Sequence, residues 1–347
     1  MSGTNNTRTK FLLLSLTALF VAMAFTFSPA SLAQEQFADF FQLVRLGTVE
    51  QVEEAIRNGA NVNDVCDVNG SILMTAAASS RHPEIVNILV AHGANVNARD
   101  WHDRTALMRA ARFNENLEIV AALIEHGADV NARDMAGVTG LIEAAGNNNN
   151  PEIINALIKG GADVNAATNS GATPLIGAAI LNNNPEIIDI LVKNGADVHA
   201  RTPIGITPLM MAVFANNPEV VTALIKHGSD VNARDTTGKT GLMGAAGNNS
   251  NPEIIAILIA HGADVNAADN NGWTALIYAA RSNANPEIIT VLIENGADIN
   301  ARDLWGRTAY ILAGHNSNPE VAAALVAHGA STETENPLRR LFRNLLW

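Results

Sequence analysis

Apolar residues fall at helical spacing in two short runs within residues 134–165. The runs are Leu141, Ala144 and Ala145, then Ile154, Leu157 and Ile158. A spacing of three to four residues places each run on one face of a helix. The polar residues around them, such as Asn155 and Lys159, are left for solvent. The pattern therefore predicts two short helices in this unit, each with one buried face.

Residues that start and end helices flank both runs. Thr139 is placed to cap the first helix, and Pro151 takes the first position of the second, where its missing N–H leaves nothing unpaired. Gly161 then supplies the left-handed backbone that ends the second helix. Residues 147–150 are all Asn, and we expect them to turn the chain partly through left-handed backbone, which Asn tolerates. The unit is predicted to be helix, loop, helix and turn.

The unit repeats along most of the chain. The phrase Gly-Ala-Asp/Asn-Val-Asn, in close variants, returns at intervals of 33 or 34 residues, starting at Gly59, Gly93, Gly127, Gly161, Gly195, Gly228, Gly262, Gly296 and Gly329. A period of this length indicates a solenoid, in which each unit buries its apolar face against its neighbours. We predict eight units at about 64–97, 98–131, 132–165, 166–199, 200–232, 233–266, 267–300 and 301–333.

The two ends of the chain differ from the repeat. Residues 34–63 are interpreted as an N-terminal cap, with helices near 37–46 and 49–57. Residues 334–347 form an amphipathic tail, with Arg339, Arg340 and Arg343 opposite a run of Leu and Phe. We favour a tail that covers the last repeat, and a membrane-surface or partner-docking helix is the alternative.

The first 33 residues predict a secretory signal peptide. A polar start with Arg8 and Lys10 precedes an apolar run over residues 11–27, and small residues precede a cleavage site near Ala33. Cleavage would change the formal charge from −12 to −14 by removing those two cations. The alternative is an uncleaved membrane anchor, because the run has the minimum length for spanning a bilayer. We expect a protein exported to a periplasm or the cell exterior.

The repeat motifs resemble those of ankyrin-repeat proteins. Thr173-Pro174-Leu175 and Thr207-Pro208-Leu209 match the family's turn-to-helix motif. Looser copies begin at Thr105, Thr139, Thr240, Thr274 and Thr308. The resemblance implies an all-α solenoid of stacked helix-turn-helix repeats with β-hairpin-like turns, capped at both ends, that binds proteins and is not an enzyme.

Two departures from the family pattern affect hydrogen bonding. The His that follows Thr-Pro-Leu is replaced by Met or Ile, as at Ile176 and Met210, so the usual network between turns is in doubt. Asn-Pro replaces the usual Gly-His between the helices. We interpret the second change as an equivalent way of capping.

Composition narrows the function further. Apolar residues make up 48% of the chain but aromatic residues only 5%, as expected for closely packed thin helices. The net charge of −12 argues against nucleic-acid binding, which needs a basic footprint. Cys66, the one Cys, cannot form an internal disulfide. Stability must therefore come from packing.

Candidate chemistry is sparse. The Gly238-Lys239-Thr240 segment lacks the earlier glycine and the strand of a phosphate-binding loop. A column of His precedes the repeat glycines, at His92, His126, His227, His261 and His328. Stacked helices lie about 8–10 Å apart, too far for equivalent positions to share a zinc ion, so helix-end His is the better interpretation. We predict no catalytic, cofactor or metal site.

Partner-binding candidates lie on turn tips and the adjoining concave side. The resemblance implies that tip residues project toward a partner, and aromatic and Arg residues dominate binding hot spots. The tip candidates are Trp101, Met135, Ile204, Trp273 and Trp305, and the concave candidates are Arg104, Arg112, Phe113, Phe214, Lys239 and Arg281. Packing of these rings on a neighbouring turn is the alternative.

We therefore expect an exported, monomeric, non-enzymatic module or scaffold that binds an unidentified protein. One alternative is a membrane-associated scaffold held by the first helix or the tail. A less favoured one is an exported enzyme or metal-binding protein.

Overall fold

The computed structural model describes residues 40–66, 70–248 and 251–332, which form a stack of helix pairs. The capping pair is α1 (40–46) and α2 (Val49–Arg57). The eight first helices are α3 (Ile72–Ser79), α5 (Ala106–Phe113), α7 (Gly140–Asn147), α9 (Pro174–Leu181), α11 (Pro208–Phe214), α13 (Gly241–Asn248), α15 (Ala275–Ser282) and α17 (Ala309–Ala313). The second helices are α4 (Pro83–Ala91), α6 (Leu117–Glu125), α8 (Pro151–Lys159), α10 (Pro185–Lys193), α12 (Pro218–Lys226), α14 (Pro252–Ala260), α16 (Pro286–Glu294) and α18 (Pro319–Ala327).

The helices form two layers. Each first helix packs on the first helices before and after it, and each second helix packs on the neighbouring second helices. Small residues such as Ala144 and Ala145 are fully buried between first helices, while Ile154 and Leu157 fill the space between the layers. Because every unit contacts only its neighbours, the core runs unbroken along the stack. The predicted all-α solenoid is confirmed.

Short hairpins connect successive pairs. β1 (Val65–Cys66) and β2 (Gly70–Ser71) pair antiparallel, and later hairpins keep single bridges such as Arg234 with Thr240. Gly161 has the left-handed backbone expected of it, with φ +95°. The chain therefore turns at the end of each second helix without a steric penalty.

Helix starts follow the predicted pattern. The Thr139 hydroxyl accepts a hydrogen bond from the Ile142 N–H at 3.3 Å, and Pro151 begins α8. The Asn150 side chain accepts from the Glu152 N–H at 3.0 Å. These contacts satisfy N–H groups that a helix cannot satisfy internally.

The expectation of left-handed backbone in residues 147–150 is wrong. Asn148 is extended, with φ −110° and ψ 131°. Its side-chain amide instead donates to the carbonyls of Ala111 at 3.0 Å and Asn114 at 2.9 Å in the preceding repeat. Asn114, Asn182 and Asn316 make the same pair of bonds one repeat apart. Asn thus links successive interhelical loops, where sequence predicted only a turn.

A second series of Asn residues links the hairpins. Asn131 Nδ2 donates to the Gly161 carbonyl, and Asn131 Oδ1 accepts from the Asp163 N–H, both at 2.8 Å. Asn97, Asn165, Asn232 and Asn266 make equivalent bonds. His199 occupies this position once, and no described side chain then bonds the Gly228 carbonyl or the Asp230 N–H. The series is interrupted before the 33-residue repeat 200–232, whereas before the other 33-residue repeat Asn300 Oδ1 still accepts from the Ser331 N–H at 3.2 Å.

Several predictions concern residues outside the described ranges. These are the signal peptide over residues 1–33, the tail over residues 334–347, and the start of the first capping helix at residue 37. Within the ranges described, no helix combines the length and apolarity needed to cross a bilayer.

Candidate functional site

The two helix layers carry opposite charge. Across the described first helices the charged residues are Arg109, Arg112, Arg281 and Glu143. The second helices α4 to α18 carry eleven Asp and Glu against three Lys. We call the surface formed by the hairpin tips and first helices the first-helix face. The first helices therefore carry little of the chain's acidity, which lies in the second helices and in the hairpins.

The hairpin tips expose large apolar side chains. Trp101 is 68% exposed and Trp305 is 57% exposed, and Met135 and Ile204 are exposed to a similar degree. Leu304, beside Trp305, is the most exposed of these tip residues at 73% and was not predicted. Exposed apolar side chains that recur on one surface indicate an interaction site.

Trp273 does not project from a tip, and that prediction is wrong. It precedes the cap residue Thr274 and lies half-buried, its ring edge-on to Tyr278 with centroids 5.0 Å apart. Its indole N–H is buried without a hydrogen-bond partner among the described residues. The packing alternative holds for this ring, which fills space inside the stack.

Arg104 is committed to an ion pair within its own hairpin. Its Nε donates to Asp100 Oδ2 at 2.9 Å, and Arg109 Nη2 contacts the same oxygen at 3.2 Å. Burial of Asp100 acts to raise the pKa of its carboxyl. The N–H groups of Arg104 and His102 and the two guanidinium groups outweigh that effect and hold the pKa below its usual value.

Arg112 and Phe113 form a small cluster at the end of α5. Arg112 Nη1 contacts Glu143 Oε2 at 3.0 Å across the repeat boundary, and its guanidinium carbon lies 5.1 Å from the centre of the Phe113 ring. Burial raises the pKa of Glu143, and the charge of Arg112 partly offsets that rise. Phe113 remains 55% exposed. The cluster places an aromatic ring on the surface beside a paired Arg.

An apolar cleft opens on the first-helix face at α11, in the 33-residue repeat 200–232. α11 packs less closely on its neighbouring first helices than most first helices do on theirs, and a volume of about 310 Å³ lies beside it. Its walls include Ile180, Ile206, Met210, Met211 and Phe214 from α9, α11 and the hairpin between them, and Lys239, Gly241 and Gly244 from the next repeat. We call this space the α11–α13 cleft. It brings together two of the predicted residues, Phe214 and Lys239.

The remaining predicted residues stand apart from the cleft. Arg281 is exposed on α15, and its one described contact is a 3.5 Å bond to the His315 carbonyl. Trp101 and Trp305 lie in hairpins near opposite ends of the stack. Sequence reasoning missed Met211 and Gly244, which line the cleft. Sequence spacing does not single them out, because the 33-residue interval between Gly195 and Gly228 recurs between Gly296 and Gly329.

The His column caps second helices. His92, His261 and His328 each place Nδ1 at 2.8–2.9 Å from a carbonyl in the last turn of their helix. His227 Nε2 contacts Asp189 Oδ1 at 2.6 Å in the preceding repeat. Among described residues, no three His, Cys, Asp or Glu side chains come together in a way that could hold a metal ion.

Comparisons with known proteins agree with this geometry. The family described as "Ankyrin repeats (3 copies)" matches residues 40–134, 141–235 and 231–303, and the family "Ankyrin repeats (many copies)" matches residues 114–158. The crystal structure of the human ASB11 ankyrin repeat domain is similar, with a TM-score of 0.59 and 27% identity. The alignment covers 66% of this chain and 100% of that domain. No curated protein matches the chain.

Ankyrin repeats are protein–protein interaction modules, and the matches include no catalytic family. The family matches extend over more than half of the sequence, and the helix pairs, hairpins and glycine turns recur in the same order. The chain belongs to the ankyrin-repeat family.

Proposed function

We propose that this protein is an exported, monomeric, non-enzymatic module that binds a partner protein on its first-helix face, which corresponds to the concave face predicted from sequence. One observation carries the proposal. Of the eleven large apolar side chains exposed on the described surface, eight lie on hairpin tips or in first helices. They are Trp101, Phe113, Met135, Leu181, Ile204, Phe214, Leu304 and Trp305.

The opposite layer lacks such a surface. Val326 is the one strongly exposed large apolar residue of the described second helices. Desolvating charged side chains opposes binding, whereas aromatic anchors surrounded by polar groups favour it. The first-helix face is therefore the better binding surface. Because the stack is already ordered, a partner binds it without the entropy cost of folding.

The test is capture from an extracytoplasmic extract of the source organism by immobilised protein. We expect Trp101→Ala/Trp305→Ala to lose proteins that the wild type retains. Val326→Ala is the matched control, because it also removes exposed apolar area but from a second helix. Equal capture by all three proteins would contradict binding at the tips.

Export is tested separately. We expect the N-terminal sequence of the protein recovered from cells to begin at Gln34. A sequence that begins at or near Met1 would favour the alternative of a scaffold held at a membrane by its first segment.

A further inference from the structure

The α11–α13 cleft is open because α13 has a glycine at a position where the neighbouring first helices carry large side chains. α13 presents Gly244 to the first-helix face, and a Cβ placed at Gly244 would meet no atom within 4 Å. The equivalent positions on the neighbouring first helices are Met211 and Tyr278. A bulky residue on each side and a glycine between them form an apolar recess that can take the side chain of another molecule.

A cation without an ion-pair partner lies in the wall of this recess. At the hairpin position just before the cap Thr, Arg104 pairs with Asp100 and Arg307 pairs with Asp303 through contacts of 2.9 and 2.7 Å. Lys239 occupies the same position, but its Nζ lies 4.4 Å from the centre of the Tyr278 ring. Among the described residues it forms no ion pair. The charge of Lys239 thus remains available to a bound group.

The carboxylates near the recess are already used by the hairpins. Asp235 Oδ1 accepts hydrogen bonds from the N–H groups of Thr237 and Lys239 at 2.8 and 2.9 Å. Asp269 is buried and binds the N–H of Trp273 and the hydroxyl of Tyr278, both at 2.8 Å. These acids hold turns in place and keep their negative charge; Asp235 is itself part of the cleft wall, and Lys239 is the one cation among the described residues of that wall to which an incoming carboxylate can be attracted.

We infer that the α11–α13 cleft receives a bulky apolar side chain from an acidic segment of the partner protein, and that a neighbouring Asp or Glu of that segment pairs with Lys239. This inference rests on the proposed function, because it assigns the anchor point on the same face. The chain's own C-terminal residues 337–347 are a poorer occupant. They carry three Arg and no Asp or Glu, and would bring like charge to Lys239.

The experiment selects phage-displayed random dodecapeptides on the purified protein. We expect enrichment of peptides that contain Leu, Met, Phe or Trp next to Asp or Glu. Fluorescence anisotropy with a selected peptide then compares variants. Gly244→Leu fills the recess, and Lys239→Glu reverses the charge; each should weaken binding about tenfold or more.

Gly177→Leu is the matched control. Gly177 occupies the equivalent position in α9, outside the cleft, and its added Cβ would come no closer than 3.7 Å to the Ile142 carbonyl oxygen. Binding by this variant should stay within about twofold of the wild type. Circular dichroism melts of all variants separate loss of binding from loss of folding.

Four results would overturn the inference: no enriched peptide, enriched peptides without an acidic residue, equal binding by Gly244→Leu, or comparable binding of a synthetic peptide of residues 337–347. Selected peptides that bind Gly244→Leu normally but not Trp101→Ala/Trp305→Ala would overturn the cleft alone and leave the proposed function standing. Failure of the capture experiment as well would remove both.

Discussion

The side-chain amide of Asn148 donates a hydrogen bond to the carbonyl oxygen of Asn114, one repeat earlier, at 2.9 Å. Both residues are buried, so the carbonyl has little access to water that could replace this bond. Asn182 donates to the Asn148 carbonyl at the same distance, so the same bond recurs in the next repeat. Asn side chains thus hydrogen-bond successive repeats in a chain that has Met or Ile in place of the His after Thr-Pro-Leu.

The first prediction concerns this series. Asn148→Ala would leave the carbonyls of Ala111 and Asn114 unpaired, and we expect it to lower the free energy of unfolding by about 2 kcal/mol. Asn148→Asp keeps the shape but replaces the donor with an acceptor, so it should destabilise at least as much. Urea denaturation followed by circular dichroism measures both.

Asn147→Ala serves as the control for that series. Asn147 is exposed, and its amide bonds only Glu143 of its own helix at 3.1–3.2 Å. We expect the free energy of unfolding of the Asn147→Ala protein to stay within about 0.5 kcal/mol of that of the wild type. A similar loss for Asn147→Ala and Asn148→Ala would show that the link between repeats adds nothing.

The second prediction concerns the series of Asn residues that link the hairpins, which His199 interrupts. His199→Asn should supply the donor and acceptor that Asn131 supplies elsewhere, and should stabilise the protein by about 1 kcal/mol. The reverse change, Asn131→His, should destabilise it by a similar amount. Thermal melts compare the two variants, and a loss of stability in His199→Asn would mean that the repeat 200–232 cannot adopt the regular geometry.

The third prediction is a pH dependence at Asp100. The pKa of this carboxyl is lowered in the folded state, so its contribution is present at neutral pH and is lost as pH falls through the folded-state value. Asp100→Asn should destabilise the protein by about 2 kcal/mol at pH 7. The difference from wild type should shrink below about pH 4, near the ordinary pKa of Asp.

Denaturation curves at several pH values test this prediction. Asp129→Asn is a suitable control, because Asp129 lies in an exposed turn and takes part in no described ion pair. A constant difference between Asp100→Asn and wild type from neutral to acidic pH would contradict the assigned role of the charge.

The fourth prediction distinguishes Trp273 from Trp101 by their effect on stability. Trp273→Ala should lower the melting temperature and reduce the free energy of unfolding by about 2–3 kcal/mol, because the ring packs against Tyr278. Trp101→Ala should change stability by less than about 0.5 kcal/mol, since its side chain is largely exposed. The opposite ranking would mean that Trp273 is displayed and Trp101 is packed.

The amino-acid sequence determined the repeat by itself. Helix starts at Thr139 and Pro151, the left-handed turn at Gly161 and the apolar stripes all follow from local rules, and each copy obeys the same rules. The nearest-neighbour stacking of a solenoid then follows, because no unit can bury its apolar face alone. For this reason the fold class could be predicted without coordinates.

Only the tertiary structure decided what each side chain does between repeats. Nothing in the local sequence of Asn148 or Trp273 indicates its role. Asn148 binds a carbonyl 34 residues earlier, which the stacking of repeats brings close, and Trp273 packs on the Tyr278 ring once the hairpin folds against α15. The α11–α13 cleft likewise depends on which residues stacking brings together, since Met211 of α11 and Gly244 of α13 both line it. Periodicity describes what repeats share, whereas a site forms where neighbouring repeats differ and touch.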